Sequence, residues 1–190
     1  DGLQNESEIV GADDKLGLID RLVGAGVRDI EVTSFVRPSW IPQLSDASEV
    51  IARLPQVEGV RFWSLVPNRR GLERAIDSGV THIATFMSAS ETHNKKNVNR
   101  TRAESLAALR DVVGVAKDEG LGVRSHISTV FGCPYEGHVA AEQTVELAHP
   151  PPPCGPAELA PGDTTGPGDP PMAHTRVGAR ADRGRPPPRR

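Results

Sequence analysis

The first six residues, Asp1-Gly2-Leu3-Gln4-Asn5-Glu6, place a carboxylate, a glycine and two amides ahead of any apolar pattern. A carboxylate followed by glycine suits the point where a strand opens into a loop, because backbone and side-chain oxygens there can point at a hard divalent cation. The alternative is an exposed polar terminus, which is what most chain starts are. The six residues alone favour this alternative, so a cation site depends on partners elsewhere in the chain.

Glu31 is a second residue whose position suggests chemistry. It lies within residues 28–35, Arg-Asp-Ile-Glu-Val-Thr-Ser-Phe, a β-branched run that predicts a short strand. An interior strand does not carry a charge without a partner. Two interpretations stay open from the residues alone, a functional carboxylate or a structural ion pair with a basic residue of a neighbouring strand.

Three more polar segments follow predicted strands. Residues 88–97, Ser-Ala-Ser-Glu-Thr-His-Asn-Lys-Lys-Asn, are predicted to be a long loop between a strand and a helix, and such loops tend to be functional. Residues 131–137 and 162–166 follow later strands. Cys133, in the first of these two segments, is interpreted as a small buried hydrophobe rather than a nucleophile.

The elements that must position these residues alternate along the chain. Apolar periodicity predicts helices over 12–25, 45–54, 70–78, 101–119 and 140–148, and strands over 28–35, 60–66, 81–87, 122–130 and part of 157–166. Ser45 and Asp46 are expected to cap the second helix, and Thr101 with Glu104 to form a capping box. The alternation predicts an α/β fold with a parallel sheet, whose sites lie at the carboxyl ends of the strands.

The composition excludes several classes of partner. A net charge of -3 over 190 residues gives no bias towards nucleic acid or an anionic membrane. No apolar run approaches the ~18 residues of a membrane span and no signal peptide is recognisable, so a cytoplasmic location is expected. Cys133 and Cys154 show no CxxC or zinc spacing. No GxGxxG or GxxxxGK[ST] motif supports nucleotide binding.

Five segments, in matching order and spacing, resemble the 3-hydroxy-3-methylglutaryl-CoA lyase family. They are residues 1–6, 31–35, 132–137 and 162–166, and the pair Ser88-Ala89-Ser90-Glu91 with Lys95-Lys96-Asn97. The resemblance implies part of a metal-dependent TIM (β/α)8 barrel, about strands 2 to 6, without strand 1 and strands 7 to 8. It also implies cleavage of 3-hydroxy-3-methylglutaryl-CoA to acetyl-CoA and acetoacetate with Mg²⁺ or Mn²⁺.

The resemblance also implies roles for four residues near the reacting atoms. Asp1 would be a metal ligand, and Gln4 would lie beside it in the same pocket. Glu31 and Asp163 are similar to the active-site carboxylates of the family, which orient groups around the metal or move protons.

The remaining implied contacts are with the acyl-CoA substrate. Ser34 would line the substrate site, and Lys96 and Asn97 would contact the CoA moiety, whose phosphates suit a lysine. No role is assigned to His93 or His126.

The resemblance and the composition together divide the chain. Residues 1–149 are predicted to be a partial β/α barrel catalytic domain, and residues 150–166 a degraded strand and loop of that domain. Twelve of the 17 prolines lie from Pro150 onward, and residues 167–190 are predicted to be a disordered tail.

Several features of the family have no counterpart in this sequence, among them an arginine before the first aspartate, a His-x-His pair of metal ligands and a late glycine-rich loop. One carboxylate holds a divalent ion more weakly than three or four ligands do. The chain is therefore expected to be truncated at both ends, and inactive or nearly so when isolated. The sequence allows a homo-oligomer of the intact parent.

Two other functions stay open. One is a related Claisen-type synthase that condenses acetyl-CoA with a 2-oxo acid, although Leu3-Gln4-Asn5-Glu6 and the segment around Cys133 favour the lyase. The other is a noncatalytic α/β module that binds CoA through Lys96 and Asn97.

Overall fold

The computed structural model describes residues 2–148 and 158–171. The chain divides into two compact units, Asp1–Thr85 with Asp111–Arg124 and Phe86–Arg110 with Ser125–Arg190. Asp1, Cys154 and most of the predicted disordered tail lie outside the described residues, so the predicted boundaries at residues 149 and 166 stay predictions. Within the described ranges, no helix is both long enough and apolar enough to cross a membrane.

Strands and helices alternate along the first part of the chain. The helices are α1 (Ala12–Gly24), α2 (Ala47–Ala52), α3 (Arg69–Asp77), α4 (Glu91–Val98), α5 (Arg102–Asp118) and α6 (Ala141–Ala148). The strands are β1 (Asp29–Ser34), β2 (Arg61–Leu65), β3 (His82–Ser88), β4 (Gly122–Ser128), β5 (Gly132–Cys133), β6 (Gly137–His138) and β7 (Glu158–Pro161). Short 3-10 turns cover Leu3–Asn5 and Pro42–Leu44.

The main sheet confirms the predicted α/β fold. It is a parallel sheet of five strands in the order β1-β2-β3-β4-β7. The strands lie in the sheet in their order along the chain, with at least one helix in each of the first three connections, which is the order of a β/α barrel. Strands β5 and β6 form a separate antiparallel hairpin directly after β4.

Each unit has its own apolar core. In the first unit, α3 and α5 pack against the strands through Val66, Leu72, Ala75, Ile83, Val112, Val113, Ala116 and Val123. A second cluster of that unit joins α1 and α2 to β1 through Ile19, Ile30, Val32 and Val50. The core of the second unit contains Met87, Leu109, Ile127, Val130, Cys133, Val139 and Leu147. Cys133 is buried and has a free thiol, as its interpretation as a small hydrophobe predicted.

The prediction of a long loop over residues 88–97 was wrong, because most of this segment forms α4. The Ser90 side chain caps the helix by accepting from the backbone N–H of His93 at 3.1 Å. Asn94 is fully buried, accepts from the Ser88 N–H at 3.0 Å and donates to the Arg100 carbonyl oxygen at 2.8 Å. These bonds hold a polar segment in a helical conformation that apolar periodicity does not reveal.

The predicted caps had different outcomes. Thr101 and Glu104 form the expected capping box, with the Thr101 N–H donating to Glu104 and the Glu104 N–H donating to the Thr101 hydroxyl. Asp46 stands at the start of α2, but its side chain caps no helix amide, and the side chain of Ser45 bonds the carbonyl oxygen of Pro42. The cap prediction at α2 was therefore wrong, because Asp46 instead binds the buried ammonium of Lys15 at 2.6 Å.

Candidate active site

A β-bulge in β1 gives Glu31 and Ser34 a common face of the sheet. Residues three apart on a regular strand point to opposite faces, because side chains alternate with a period of two. Here Glu31 pairs with Trp63 and Ser34 pairs with Leu65, which are two residues apart on β2, and the register shifts between Glu31 and Thr33. The extra residue of the bulge therefore turns the Ser34 side chain to the same face of the sheet as Glu31.

The face that Glu31 shares with Ser34 is the one that α1 and α2 leave uncovered. Ile30 and Val32 pack into the cluster formed with α1 and α2. Because Glu31 lies between them, alternation along the strand directs it to the other face. In a β/α barrel this is the interior face, and its side chains near the carboxyl ends of the strands border the active site.

Burial changes the pKa of the Glu31 carboxyl group. The residue is half-buried and stands beside Trp63 in the strand ladder. Burial raises the pKa of Glu31 above its ordinary value, and the positive charge of Arg124 acts in the opposite direction. Because burial is the larger effect, this carboxylate is a stronger base than one in water, which suits it to accept a proton.

Three charged residues, Asp29, Arg61 and Arg124, surround the indole ring of Trp63 in the same unit. Asp29 accepts from the Trp63 Nε1 at 2.8 Å and from Arg61 at 2.8 Å, and Arg124 lies 3.3 Å from it. The Arg124 guanidinium carbon lies 4.1 Å from the centroid of the Trp63 ring. The hydrogen bond from Arg61 is the main cause that lowers the pKa of Asp29. The network stabilises the strand beside Glu31, and sequence reasoning missed it because its members are far apart in the chain.

The segment that carries Gln4 is held in place within the first unit. The Gly2 N–H donates to Gln4 Oε1 at 2.8 Å, with a φ of 103° at Gly2 that favours glycine. Gln43 donates to the Glu6 carbonyl oxygen at 2.9 Å, and Lys15 donates to the Gln43 carbonyl oxygen at 2.6 Å. The side chain of Gln4 therefore has a local backbone partner in this structure.

In the second unit, Lys96 and Asn97 lie exposed on α4. The neighbouring Lys95 forms an ion pair with Glu91 at 3.3 Å. The ammonium of Lys96 instead lies 4.3 Å from the ring centroid of Tyr135, and no carboxylate of the described residues is within ion-pair distance of it. The charge of Lys96 thus remains available to an anionic ligand.

His93 ends a chain of hydrogen bonds at the carboxyl ends of β3 and β4. Its Nδ1 lies 2.6 Å from Ser88 Oγ, which lies 3.0 Å from Ser128 Oγ, and Ser128 donates to the Met87 carbonyl oxygen at 3.2 Å. A carbonyl only accepts, so Ser128 must donate to it, Ser88 must donate to Ser128, and His93 must donate to Ser88. A neutral His93 therefore carries its proton on Nδ1 and presents Nε2 as an acceptor.

Asp163 is exposed in the loop after β7. Its Oδ1 accepts from the Gly166 N–H at 3.1 Å and its Oδ2 accepts from the Gly168 N–H at 3.1 Å. Because each carboxylate oxygen has two lone pairs, both oxygens keep capacity for a further partner. The bonds fix the orientation of this carboxylate and also give it a structural role in the turn.

The predicted site residues are divided between the two units. Gln4, Glu31 and Ser34 belong to the first unit, and Lys96, Asn97 and Asp163 belong to the second. Among residues 2–148 and 158–171, no three His, Cys, Asp or Glu side chains approach closely enough to hold a metal ion. The described residues by themselves do not fit a metal centre. The predicted ligand Asp1 lies outside them.

A parallel sheet in β/α order, with polar side chains on the face that the helices leave uncovered, defines a segment of a β/α barrel. The model of the HMGL-like family matches residues 1–183. The chain therefore belongs to the HMGL-like family, which the resemblance of its five segments had indicated.

Known proteins of this family are similar over most of the chain. Hydroxymethylglutaryl-CoA lyase YngG of Bacillus subtilis is 45% identical over 175 residues, which is 92% of this chain and 58% of YngG. A crystal structure of the B. subtilis HMG-CoA lyase superposes with a TM-score of 0.90 at 44% identity, covering 96% of this chain and 61% of that one. The chain thus spans somewhat more than half the length of these relatives.

A third relative was solved with ligands. The HMG-CoA lyase of Acinetobacter baumannii, in complex with coenzyme A and 3-methylmalate, superposes with a TM-score of 0.87 at 32% identity. The superposition covers 94% of this chain and 58% of that one.

Proposed function

We propose that this chain supplies part of the active site of a lyase that cleaves 3-hydroxy-3-methylglutaryl-CoA to acetyl-CoA and acetoacetate. The observation that carries the proposal is the 45% identity to a hydroxymethylglutaryl-CoA lyase over 92% of the chain. The bulge in β1 supports it, because it gives the half-buried Glu31 and the buried Ser34 a common face of the sheet.

In the proposed reaction, Glu31 accepts the proton of the substrate's tertiary hydroxyl group. The C3–O bond becomes a carbonyl while the bond between C2 and C3 breaks. The electron pair of that bond stays on C2 as the enolate of acetyl-CoA, which then takes up a proton. The raised pKa of Glu31 supports this role, because it makes the carboxylate a better base near neutral pH.

The other predicted residues bind and orient the substrate in this proposal. Ser34 is proposed to line the substrate site on the same face as Glu31, and Gln4 to lie beside Asp1 in the same pocket. Asp163 is proposed as the second active-site carboxylate, and its two backbone hydrogen bonds support a fixed orientation. Lys96 and Asn97 are proposed to contact the CoA moiety. The complex of the A. baumannii relative with coenzyme A supports CoA as the ligand class.

Dependence on Mg²⁺ or Mn²⁺ is proposed from family membership. A divalent cation would acidify the substrate hydroxyl and hold the oxygens of the substrate in place. Asp1 is proposed as one ligand. Because the described residues do not complete a metal centre, no step of the reaction is assigned to the metal. A cytoplasmic location, a homo-oligomeric parent and low activity of the isolated chain also stay predictions.

A chimera tests the proposed function. Residues 2–148 of this chain replace the matching residues of B. subtilis YngG, and acetoacetate is measured after addition of 3-hydroxy-3-methylglutaryl-CoA and Mn²⁺. Release of acetoacetate is the expected result, with unchanged YngG as the positive control. A chimera that shows the circular dichroism of a folded barrel and releases none would contradict the proposal. Consumption of acetyl-CoA in the presence of a 2-oxo acid would favour the Claisen-type synthase instead.

A further inference from the structure

The turn between β5 and β6 makes two separate contacts with α4. The turn consists of Pro134, Tyr135 and Glu136, and Gly137 follows it with a φ of 74°. The pairing of Cys133 with Gly137 closes this three-residue loop into a hairpin, so the turn has a defined shape. Two of its three exposed side chains, those of Tyr135 and Glu136, are directed at the helix.

Glu136 binds the first turn of α4. Its Oε1 accepts from the Thr92 N–H at 2.6 Å. The hydroxyl group of Thr92 is the main cause that lowers the pKa of Glu136, and the backbone N–H groups of Thr92 and Glu91 act in the same direction. A carboxylate at a helix N-terminus satisfies free N–H groups and interacts favourably with the helix dipole. Glu136 therefore fixes this end of α4 to the turn.

Tyr135 contacts the same helix through two other side chains, those of His93 and Lys96. The Lys96 ammonium lies 4.3 Å from the centroid of the Tyr135 ring, and the His93 ring lies 6.3 Å from it. A cation at this distance from an aromatic face is attracted to it. Tyr135 is 53% exposed, so the ring is not needed for the core of the unit.

A third contact anchors the start of the turn. The buried Sγ of Cys133 accepts from the hydroxyl group of Ser90 at 2.9 Å, and from the Tyr135 N–H at 3.4 Å. Ser90 is the residue that caps α4. The hairpin and the helix are thus joined at the cap, at the first turn and at Lys96.

We propose that Tyr135 and Glu136 are positioning residues that hold Lys96 where it meets an anionic group of the acyl-CoA ligand. The proposal rests on the proposed function. Lys96 has an aromatic partner that restrains its side chain without neutralising its charge, whereas Lys95 on the same helix is neutralised by Glu91. A restrained lysine loses less side-chain entropy when it binds a phosphate than a free one does.

Calorimetric titration of the 190-residue chain with CoA tests the proposal. Tyr135→Leu is expected to weaken CoA binding about two- to fivefold, the size of an exposed cation–π contact, and Tyr135→Phe to restore it because the ring is kept. Glu136→Ala is expected to weaken binding about threefold, and Glu136→Gln less, because glutamine still accepts from the Thr92 N–H. Lys96→Met is expected to weaken binding about tenfold, and its control Lys95→Met to leave it unchanged.

The contact itself is checked without ligand by NMR. The ring current of Tyr135 is expected to shift the Lys96 Hε resonances upfield, and the shift is expected to vanish in Tyr135→Leu. If Lys96→Met weakens CoA binding while Tyr135→Leu and Glu136→Ala bind as the wild type does, the positioning role is wrong and the proposed function is untouched. If the wild-type chain binds no CoA, the CoA contact of the proposed function fails, and the positioning role fails with it.

Discussion

Glu31 combines two properties that a surface carboxylate does not have. It is half-buried beside Trp63, and burial raises its pKa. A charge held in such a place reduces the stability of the fold, which proteins tolerate mainly where the charge has a function. At the scale of single residues, this is the strongest indication that the sheet face opposite to α1 and α2 carries chemistry.

Because burial raises the pKa of Glu31, the free energy of unfolding is expected to depend on pH. A carboxyl whose pKa is raised in the folded state favours folding below its ordinary pKa, and this contribution is lost as the pH rises through the folded-state value. The side chain of Glu31→Gln is uncharged at every pH, so this variant is expected to be more stable than the wild type at pH 8. The difference is expected to shrink towards pH 4. Urea unfolding at both pH values measures it.

Glu104 provides a control of opposite sign. Hydrogen bonds from Thr101 lower its pKa, so its contribution to stability is present at neutral pH and is lost as the pH falls through its folded-state value. Glu104→Gln is therefore expected to reduce stability at pH 8 and to have a smaller effect in acid. A stabilising effect of Glu104→Gln, or a destabilising effect of Glu31→Gln at pH 8, would contradict the assignment of the two environments.

His93 gives a second prediction for a single residue. The hydrogen-bond chain through Ser88 and Ser128 to the Met87 carbonyl requires a proton on Nδ1 of the neutral ring. Long-range ¹H–¹⁵N correlation spectra at a pH where the ring is neutral are expected to show protonated Nδ1 and unprotonated Nε2. Ser88→Ala removes the acceptor and is expected to shift the ring towards the other tautomer. An Nε2-protonated ring in the wild type would contradict the chain of donors.

At the scale of elements, the helix α4 is organised by one buried amide. Asn94 is fully buried, and its three hydrogen bonds reach Ser88, Arg100 and Ser105. Its removal leaves several buried polar groups without a partner, and each of these carries a desolvation penalty.

A matched pair of asparagines tests this role. Asn94→Ala is expected to lower the free energy of unfolding by about 2–3 kcal/mol, because buried donors and acceptors lose their partner. Asn97→Ala, on the same helix but exposed, is expected to change it by less than about 0.5 kcal/mol. Chemical denaturation of both variants measures the difference. Equal effects would contradict the organising role of Asn94.

The helices and strands differ in how well the sequence predicted them. Apolar periodicity predicted α1, α5 and the strands β1 to β4, and the Thr101–Glu104 box was predictable because it is local. The short strands β5 and β6 were not predicted. The helix α4 was missed because it is stabilised by hydrogen bonds of a buried amide, Asn94, and not by a repeating apolar pattern. The bulge in β1 was missed because it is defined by the pairing of β1 with β2. It places Ser34 on the same face of the sheet as Glu31.

At the scale of the whole molecule, the family could be predicted from the sequence because its motifs are short and in fixed order. The match of the HMGL-like family to residues 1–183 confirms that prediction. The order of the five-stranded sheet confirms the partial barrel. The roles of the seven predicted site residues stay predictions, because an active site is defined by distances to a substrate. These residues are Asp1, Gln4, Glu31, Ser34, Lys96, Asn97 and Asp163.

The division of the chain into two units explains why these roles need a functional test. Glu31 belongs to the first unit, and Asp163 and Lys96 belong to the second. Each unit contains its own core, so each predicted residue has a local structural environment whatever its role in catalysis. A measurement of turnover tests whether residues of both units take part in one reaction.

The most direct test is the turnover of the YngG chimera with and without the Glu31 carboxylate. In a chimera that carries residues 2–148 of this chain, Glu31→Gln is expected to lower the kcat for acetoacetate release by about 10²–10⁴-fold, the usual contribution of a general base. Glu104→Gln, which removes an exposed capping carboxylate, is expected to keep the kcat. A Glu31→Gln chimera that is folded and releases acetoacetate as fast as its parent would contradict the account.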